Sequence, residues 1–209
     1  MLQEQLIKIK TKDEIEIALW KISSKQENSE NHIFLTHGTF SDKRVCSGIA
    51  QFFASEGYTC WIMEWRNHGS SDRIDSNFNF ETIAKYDLKS TFEFLFKKEK
   101  VKTIDCLVHS GGGLILTMFL INNPTYQPKI KSITMFGTQA FGAGTYVLNR
   151  GKIFVGKYVT AILGKTPANK VGSTEHDESY YTMKQWFNWN LNRNFIGEND
   201  FDYKERMAS

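Results

Sequence analysis

The stretch CLVHSGGG, residues 106–113, runs an apolar segment into a histidine, a serine and the chain's only three-glycine run. Read backward from Ser110, IDCLVHS is a short apolar run of the kind buried on both faces of a parallel sheet. Read forward, GGGLILTMFLINN predicts a helix ended by Pro124. The serine therefore falls on a strand-to-helix turn tight enough that only glycine passes close by, which lifts its hydroxyl into the open.

Working outward, LIKIK and EIEIALWKI (within 2–10 and 14–22) alternate apolar with polar residues and predict an antiparallel hairpin with one wet face. SSKQENSEN reads as a polar surface loop. IFLTHG (33–38) is a buried strand, and Ser41 is placed to cap a helix carrying Val45, Ile49, Phe52 and Phe53 on its inner face up to Gly57. YTCWIMEW (58–65) is the next strand, followed by the turn-rich RNHGSSD. Residues 80–99 carry Ile83, Tyr86, Asp87, Phe92, Leu95 and Phe96 at helical spacing, and IKSITMFGT (130–138) gives a sixth strand. Strands alternating with helices predict an α/β fold with a mostly parallel sheet behind the N-terminal hairpin. From 139 the rhythm stops, and 139–200 reads as a cap-like or lid-like insertion within a single domain.

The chain has 209 residues, 41% of them hydrophobic, enough for one domain with a substantial core. The net charge of +3, from 26 basic and 23 acidic residues, is scattered, so neither nucleic acid nor an anionic membrane is called for as partner. Cys46, Cys60 and Cys106 show no metal-ligand or CxxC spacing and read as buried thiols in a reducing compartment. No cluster has metal-ligand spacing, and the glycine run lacks the Lys and Ser/Thr of a phosphate loop. The N-terminus mixes charges into its apolar positions, and GGGLILTMFLI is shorter than the ~20 residues of a bilayer-spanning helix, so a cytoplasmic protein without a membrane span is expected.

Ligands in open α/β sheets sit beyond the carboxyl ends of the parallel strands. Three such ends carry THGT, RNHGSS and VHSGGG. With HGTF at 37–40, the strand and RNHGSSD loop at 58–72 and HSGG at 109–112, the chain resembles the α/β-hydrolase superfamily, in its esterase-like and lipase-like serine hydrolases, over residues 1 to about 138. The resemblance implies that Ser110 is a nucleophile and that the backbone N–H groups of Gly111 and Thr39 receive an oxyanion. It implies a cofactor-free enzyme acting on small-molecule carboxylic esters or thioesters through an acyl-enzyme. A perhydrolase uses the same residues, whereas dehalogenases and epoxide hydrolases of this fold need an aspartate where Ser110 stands. Two departures are visible. Val108 occupies the first glycine position of G-x-S-x-G. The family's acid and histidine follow a seventh and an eighth strand, and the sequence shown reaches DYKERMAS without them, so a catalytically incomplete chain with at most a binding role is the alternative.

For the remaining candidates the readings stay open. Phe40, His109, Trp186 and Trp189 are candidate pocket residues; His109 also suits packing or orienting, and two tryptophans three apart on a helix also suit plain packing. His37 reads as structural, His68 as a surface-turn residue and Asp87 as scaffold. His176, in STEHDE, suits a solvated loop, and it is the one candidate for a substitute base, with Asp177 or Glu175 beside it. Oligomeric state leaves no mark in the sequence.

Overall fold

A computed structural model of the chain describes residues 1–24, 30–75, 77–167 and 176–207. The expected α/β architecture is present. Six strands, β1 (Leu2–Lys10), β2 (Glu16–Ser24), β3 (His32–Thr36), β4 (Thr59–Glu64), β5 (Ile104–His109) and β6 (Ile130–Phe136), form one sheet in the order β1-β2-β4-β3-β5-β6. β1, β2 and β4 pair antiparallel in sequence, while β4, β3, β5 and β6 run parallel. Of the loop expected over SSKQENSEN, Ser23 and Ser24 belong to β2, and residues 25–29 lie outside the described residues.

Burial follows strand position. Every residue of β3 and β4 is buried, the condition of central parallel strands covered on both faces. In β1 only Ile9 is buried, so both of its faces are largely wet rather than one. β6 is the other edge. Its apolar Ile133, Met135 and Phe136 are 41–47% exposed, so the expected sixth strand leaves its outer side open.

Helix α1 (Arg44–Ser55) differs from expectation in cap and face. Ser41 Oγ donates to the Gly38 carbonyl, and Asp42 instead receives the Arg44 amide at 2.9 Å. The buried stripe is Cys46, Ala50 and Ala54, with Val45 and Phe52 turned outward. Small residues win the inner face because the helix lies close over β3 and β4, where Phe52 would overpack.

The helix expected over 80–99 is a composite. A capping box at Asn79 starts α2 (Phe80–Thr82), and α3 (Lys89–Glu93) is flanked by π-helical turns at Ile83–Leu88 and Phe94–Lys98. Asp87, in the first π turn, is buried against Arg66 in a forked pair at 2.6 and 2.9 Å, and Arg66 reaches Asp13 at 2.8 Å. Burial pushes the Asp87 carboxyl up against the pull of the guanidinium. Asp87 is thus scaffold, as its place in the sequence implied.

Helix α4 (Gly111–Asn122) is apolar all round, and from Gly111 to Leu120 all but Thr117 is buried. Full burial of each large aliphatic side chain contributes about 1.5–3 kcal/mol. The later segment holds α5 (Val147–Leu163), a two-stranded β7 (Lys165–Thr166) and β8 (Glu178–Ser179), α6 (Tyr180–Asn192) and α7 (Tyr203–Met207). Ile153, Met183 and Phe187 form a small apolar cluster of their own, against which Phe40 packs. Tyr203 returns to the main core, its hydroxyl on Glu81 at 2.8 Å.

Candidate functional site

Ser110 sits between β5 and α4 at φ 50°, ψ −118°, a left-handed backbone that L residues rarely adopt. Three bonds hold it there. Its amide donates to Phe136 O at 2.8 Å, and its carbonyl accepts from the Gly113 amide at 3.1 Å and from Thr138 Oγ1 at 3.0 Å. The conformation is over-determined by neighbours, as strained backbone at working sites tends to be. Among the described residues no hydrogen bond engages Ser110 Oγ. Val108, two residues earlier, is absorbed into the core at 1% exposure and does not displace the turn.

The loop after β3 meets this turn backbone to backbone. A Cβ placed on Gly38 would stand 2.5 Å from Ser110 Cβ and 3.1 Å from the Gly111 nitrogen, and one on Gly111 would stand 3.5 Å from the Thr39 nitrogen. Only glycine fits at 38. The glycines behind the serine have the same cause: side chains there would strike His37 O at 2.6 Å from position 112 and Thr138 Oγ1 at 2.2 Å from position 113. The backbone at Thr39 and the backbone at Gly111 therefore lie close together beside Ser110, at the amino end of α4, where the helix dipole favours negative charge.

His37 fixes the loop from behind. Its Nδ1 contacts the Gly38 carbonyl at 2.7 Å, and Nε2 receives the Trp65 amide at 3.2 Å, an arrangement met by a neutral ring protonated on Nδ1. Burial, reinforced by His68, holds its pKa well below the usual histidine range.

His68 corrects the sequence reading. Expected on a surface turn, it is fully buried, with Nδ1 on the Arg66 carbonyl at 3.0 Å and Nε2 on Glu178 Oε1 at 2.9 Å. Burial alone would lower its pKa, but the Glu178 carboxylate and both hydrogen bonds carry it above the ordinary value. The partner is 110 residues away in β8, which is why no local signal announced it. Glu178 Oε1 also receives the Phe40 amide at 3.0 Å, and Phe40 itself lies at φ 61°. A carboxylate from the late segment thus pins the residue next to Thr39; sequence reasoning missed Glu178 altogether.

His176 is not brought to Ser110. Its Nε2 meets Asp42 Oδ2 at 3.1 Å and the Gly69 amide at 3.3 Å, and its Nδ1 meets Arg73 at 3.2 Å. It lines a separate groove with Arg73 and Asp177, and Asp177 is paired with Lys165. Glu175, its other candidate partner, lies outside the described residues. The loop holds His176 because Glu64 gathers the same turn, accepting from Ser70 N at 2.9 Å, Lys43 N at 3.1 Å and Trp20 Nε1 at 2.8 Å.

Ser110 opens on a cavity of about 880 Å³. Thr39, Phe40, His109, Gly111 and Trp186 line it together with Leu114, Met183, Phe187 and one side of α5. Trp189 does not: it is 1% exposed, packs on Phe80 and Phe195, and its Nε1 donates to Ile196 O at 2.6 Å. The two tryptophans sit on one helix, but α6 lies at a boundary, one facing the cavity and the other the core. His109 lines the cavity beside Ser110, and its Nδ1 is buried without a partner among the described residues. Among the described residues no group of three or more His, Cys, Asp or Glu has the geometry to hold a metal ion. No described helix is long and apolar enough to cross a membrane.

Comparison with known proteins agrees with this layout. A family model described as alpha/beta hydrolase fold matches residues 31–174. Gastric triacylglycerol lipase of Rattus norvegicus is 27% identical over 148 residues, covering 61% of this chain and 38% of that protein. A probable alcohol acetyltransferase of Wickerhamomyces anomalus is 30% identical over 138 residues, covering 61% and 39%. The chain thus spans about two fifths of the length of these curated relatives. In structure, an esterase of Exiguobacterium antarcticum superposes with a TM-score of 0.67 at 16% identity, covering 96% of this chain and 76% of that one. A family model that matches well over half of the chain, from β3 past β6, makes this chain a member of the α/β-hydrolase fold family.

Proposed function

We propose that the protein is a serine hydrolase of carboxylic esters or thioesters, with Ser110 as nucleophile and the Thr39 and Gly111 amides as oxyanion donors. The observation that carries the reading is the left-handed Ser110, its hydroxyl without a hydrogen-bond partner among the described residues, against two loops in backbone contact. Oγ attacks the acyl carbon, the carbonyl oxygen gains charge between the two amides, and the C–O or C–S bond breaks as the alcohol or thiol leaves with a proton. Water then releases the acid and restores the hydroxyl. Two fixed donors suit this chemistry, since losing one such donor typically costs about 3 kcal/mol in the transition state. The apolar cavity favours an uncharged, aliphatic or aromatic acyl group, with Phe40 and Trp186 in its wall. The lipase and esterase names among the relatives support the same class.

One observation favours a second reading, binding without turnover. A serine hydroxyl needs a base to take its proton. Among the described residues His37, His68 and His176 are engaged elsewhere, and His109 is the only imidazole in the cavity wall. A fluorophosphonate probe separates the two readings. Rapid modification at Ser110, absent from Ser110→Ala, with turnover of p-nitrophenyl acetate, supports the hydrolase; a folded protein that neither labels nor turns over favours the chain without turnover.

A further inference from the structure

Helix α5 has two faces of different character. Ile153, Gly156 and Thr160 turn toward the Ser110 cavity. On the opposite side Val147, Phe154, Val155, Tyr158 and Ile162 are 52–87% exposed. At about 3.6 residues per turn these five fall on one stripe along the helix. Exposed apolar residues are ordinarily scattered singly, and a continuous stripe marks an interaction surface. The stripe also joins the cavity, since Val159 and Leu163 are both half-exposed and part of its wall.

Charge says what covers it. From 139 to 167 the sequence has no aspartate or glutamate and four cations, Arg150, Lys152, Lys157 and Lys165. Lys152, itself part of the cavity wall, falls beside Val159 and Leu163 on one side of the stripe, and Arg150 and Lys157 on the other. Lys165 pairs with Asp177 and Arg150 reaches the Leu191 carbonyl, while Lys152 and Lys157 make no ion pair among the described residues. A second copy of the chain on this face would set cationic margins against each other across a two-fold axis. An aromatic and aliphatic stripe flanked by lysines is instead the make-up of a helix lying in the plane of lipid headgroups.

We propose that α5 docks the protein on an anionic lipid bilayer, with Phe154, Tyr158 and Ile162 entering the headgroup boundary and Lys152 and Lys157 meeting lipid phosphates. The proposal departs from the expectation, drawn from scattered net charge, that no anionic membrane is called for as partner, because it rests on the local charge of one helix. Docking there sets the cavity margin at Val159 and Leu163 against the lipid.

The test is sedimentation of the whole chain with phosphatidylcholine vesicles, with and without phosphatidylglycerol, across a salt series. It needs no turnover, so it stands apart from the hydrolase reading. Binding that requires phosphatidylglycerol and falls as salt rises is expected. Phe154→Ser and Ile162→Ser, each at a solvent-exposed position outside the cavity wall, weaken binding about tenfold or more. Lys157→Gln weakens it about fivefold, the effect of one lysine near an anionic surface. No sedimentation, equal binding to both vesicle types, or serine variants that bind like the parent overturns the proposal. So does a dimer in solution that Ile162→Ser converts to monomer, which would assign the stripe to a second copy. The salt series on the unaltered protein decides the question even if a variant fails to fold.

Discussion

The sheet half of the molecule, through residue 138, and the segment after it reach the site by different means. The first half supplies backbone: a strained serine and glycines too crowded for side chains. The second supplies side chains, a cavity wall from α5 and α6 and a single carboxylate, Glu178, pressed into the first half. Local sequence prescribes backbone geometry, because a turn that only glycine can pass advertises itself. Side-chain contacts between distant segments leave no such mark.

The contrast can be broken most forcefully in the core. Trp189→Ala, on the core side of α6, is expected to cost about 3–5 kcal/mol in urea unfolding, while Trp186→Ala, on the cavity side, costs markedly less and shifts acyl-group preference. Equal losses would mean that α6 is not a boundary. Removing Asp87, which takes from the buried Arg66 its forked partner and leaves it Asp13, falls at the lower end of that range, about 3 kcal/mol by the same measurement.

Next comes the backbone contact itself. Gly38→Ala forces a Cβ toward Ser110, and a misplacement of this kind costs about 100-fold in rate, read as fluorophosphonate labelling of Ser110. Labelling at the parent rate would show that the two loops do not work as one unit.

Glu178→Gln tests the one long-range carboxylate. Hydrogen bonds to charged groups contribute about 1.5–3 kcal/mol, and a loss of that size is expected. The pH dependence has a definite sign. His68 has a raised pKa in the fold, so its pairing stabilises fully below the unfolded value of about 6.5 and fades as pH rises through the folded value. The stability gap between parent and variant is therefore widest in mild acid and narrows above neutrality. His37, neutral in the fold, acts in the opposite sense in both proteins and drops out of the difference. A gap that widens with pH would assign the charge elsewhere.

The smallest effect is on α1. Phe52→Ser, on a residue 60% exposed, should change stability by no more than about 0.5 kcal/mol, whereas Ala50→Leu, on the buried side, overpacks the helix against the sheet by about 1–3 kcal/mol.

Much of the fold was legible in the sequence because strand alternation, apolar runs and glycine-rich turns each act within a few residues. The strand-to-helix turn at Ser110 was legible for the same reason, whereas the pairing of Thr39 and Gly111 with it was implied by the resemblance to α/β-hydrolases. The inner face of α1 was misjudged because size, not hydrophobicity, decides what fits between a helix and a sheet it nearly touches. His68 was misjudged because its partner lies in β8, and Trp186 and Trp189 stayed open between pocket and packing because helical spacing tells which residues share a face but not what that face meets.

The three free thiols carry a practical consequence. Cys46, Cys60 and Cys106 lie in α1, β4 and β5, all buried, and burial pushes the first two up to about 12 and the third higher still. Such sulfurs scarcely react with alkylating reagents while the sheet is closed. Their rate of alkylation in mild denaturant is a built-in clock for opening of the central strands, one that needs no engineered label and reads the sheet independently of α5 and α6.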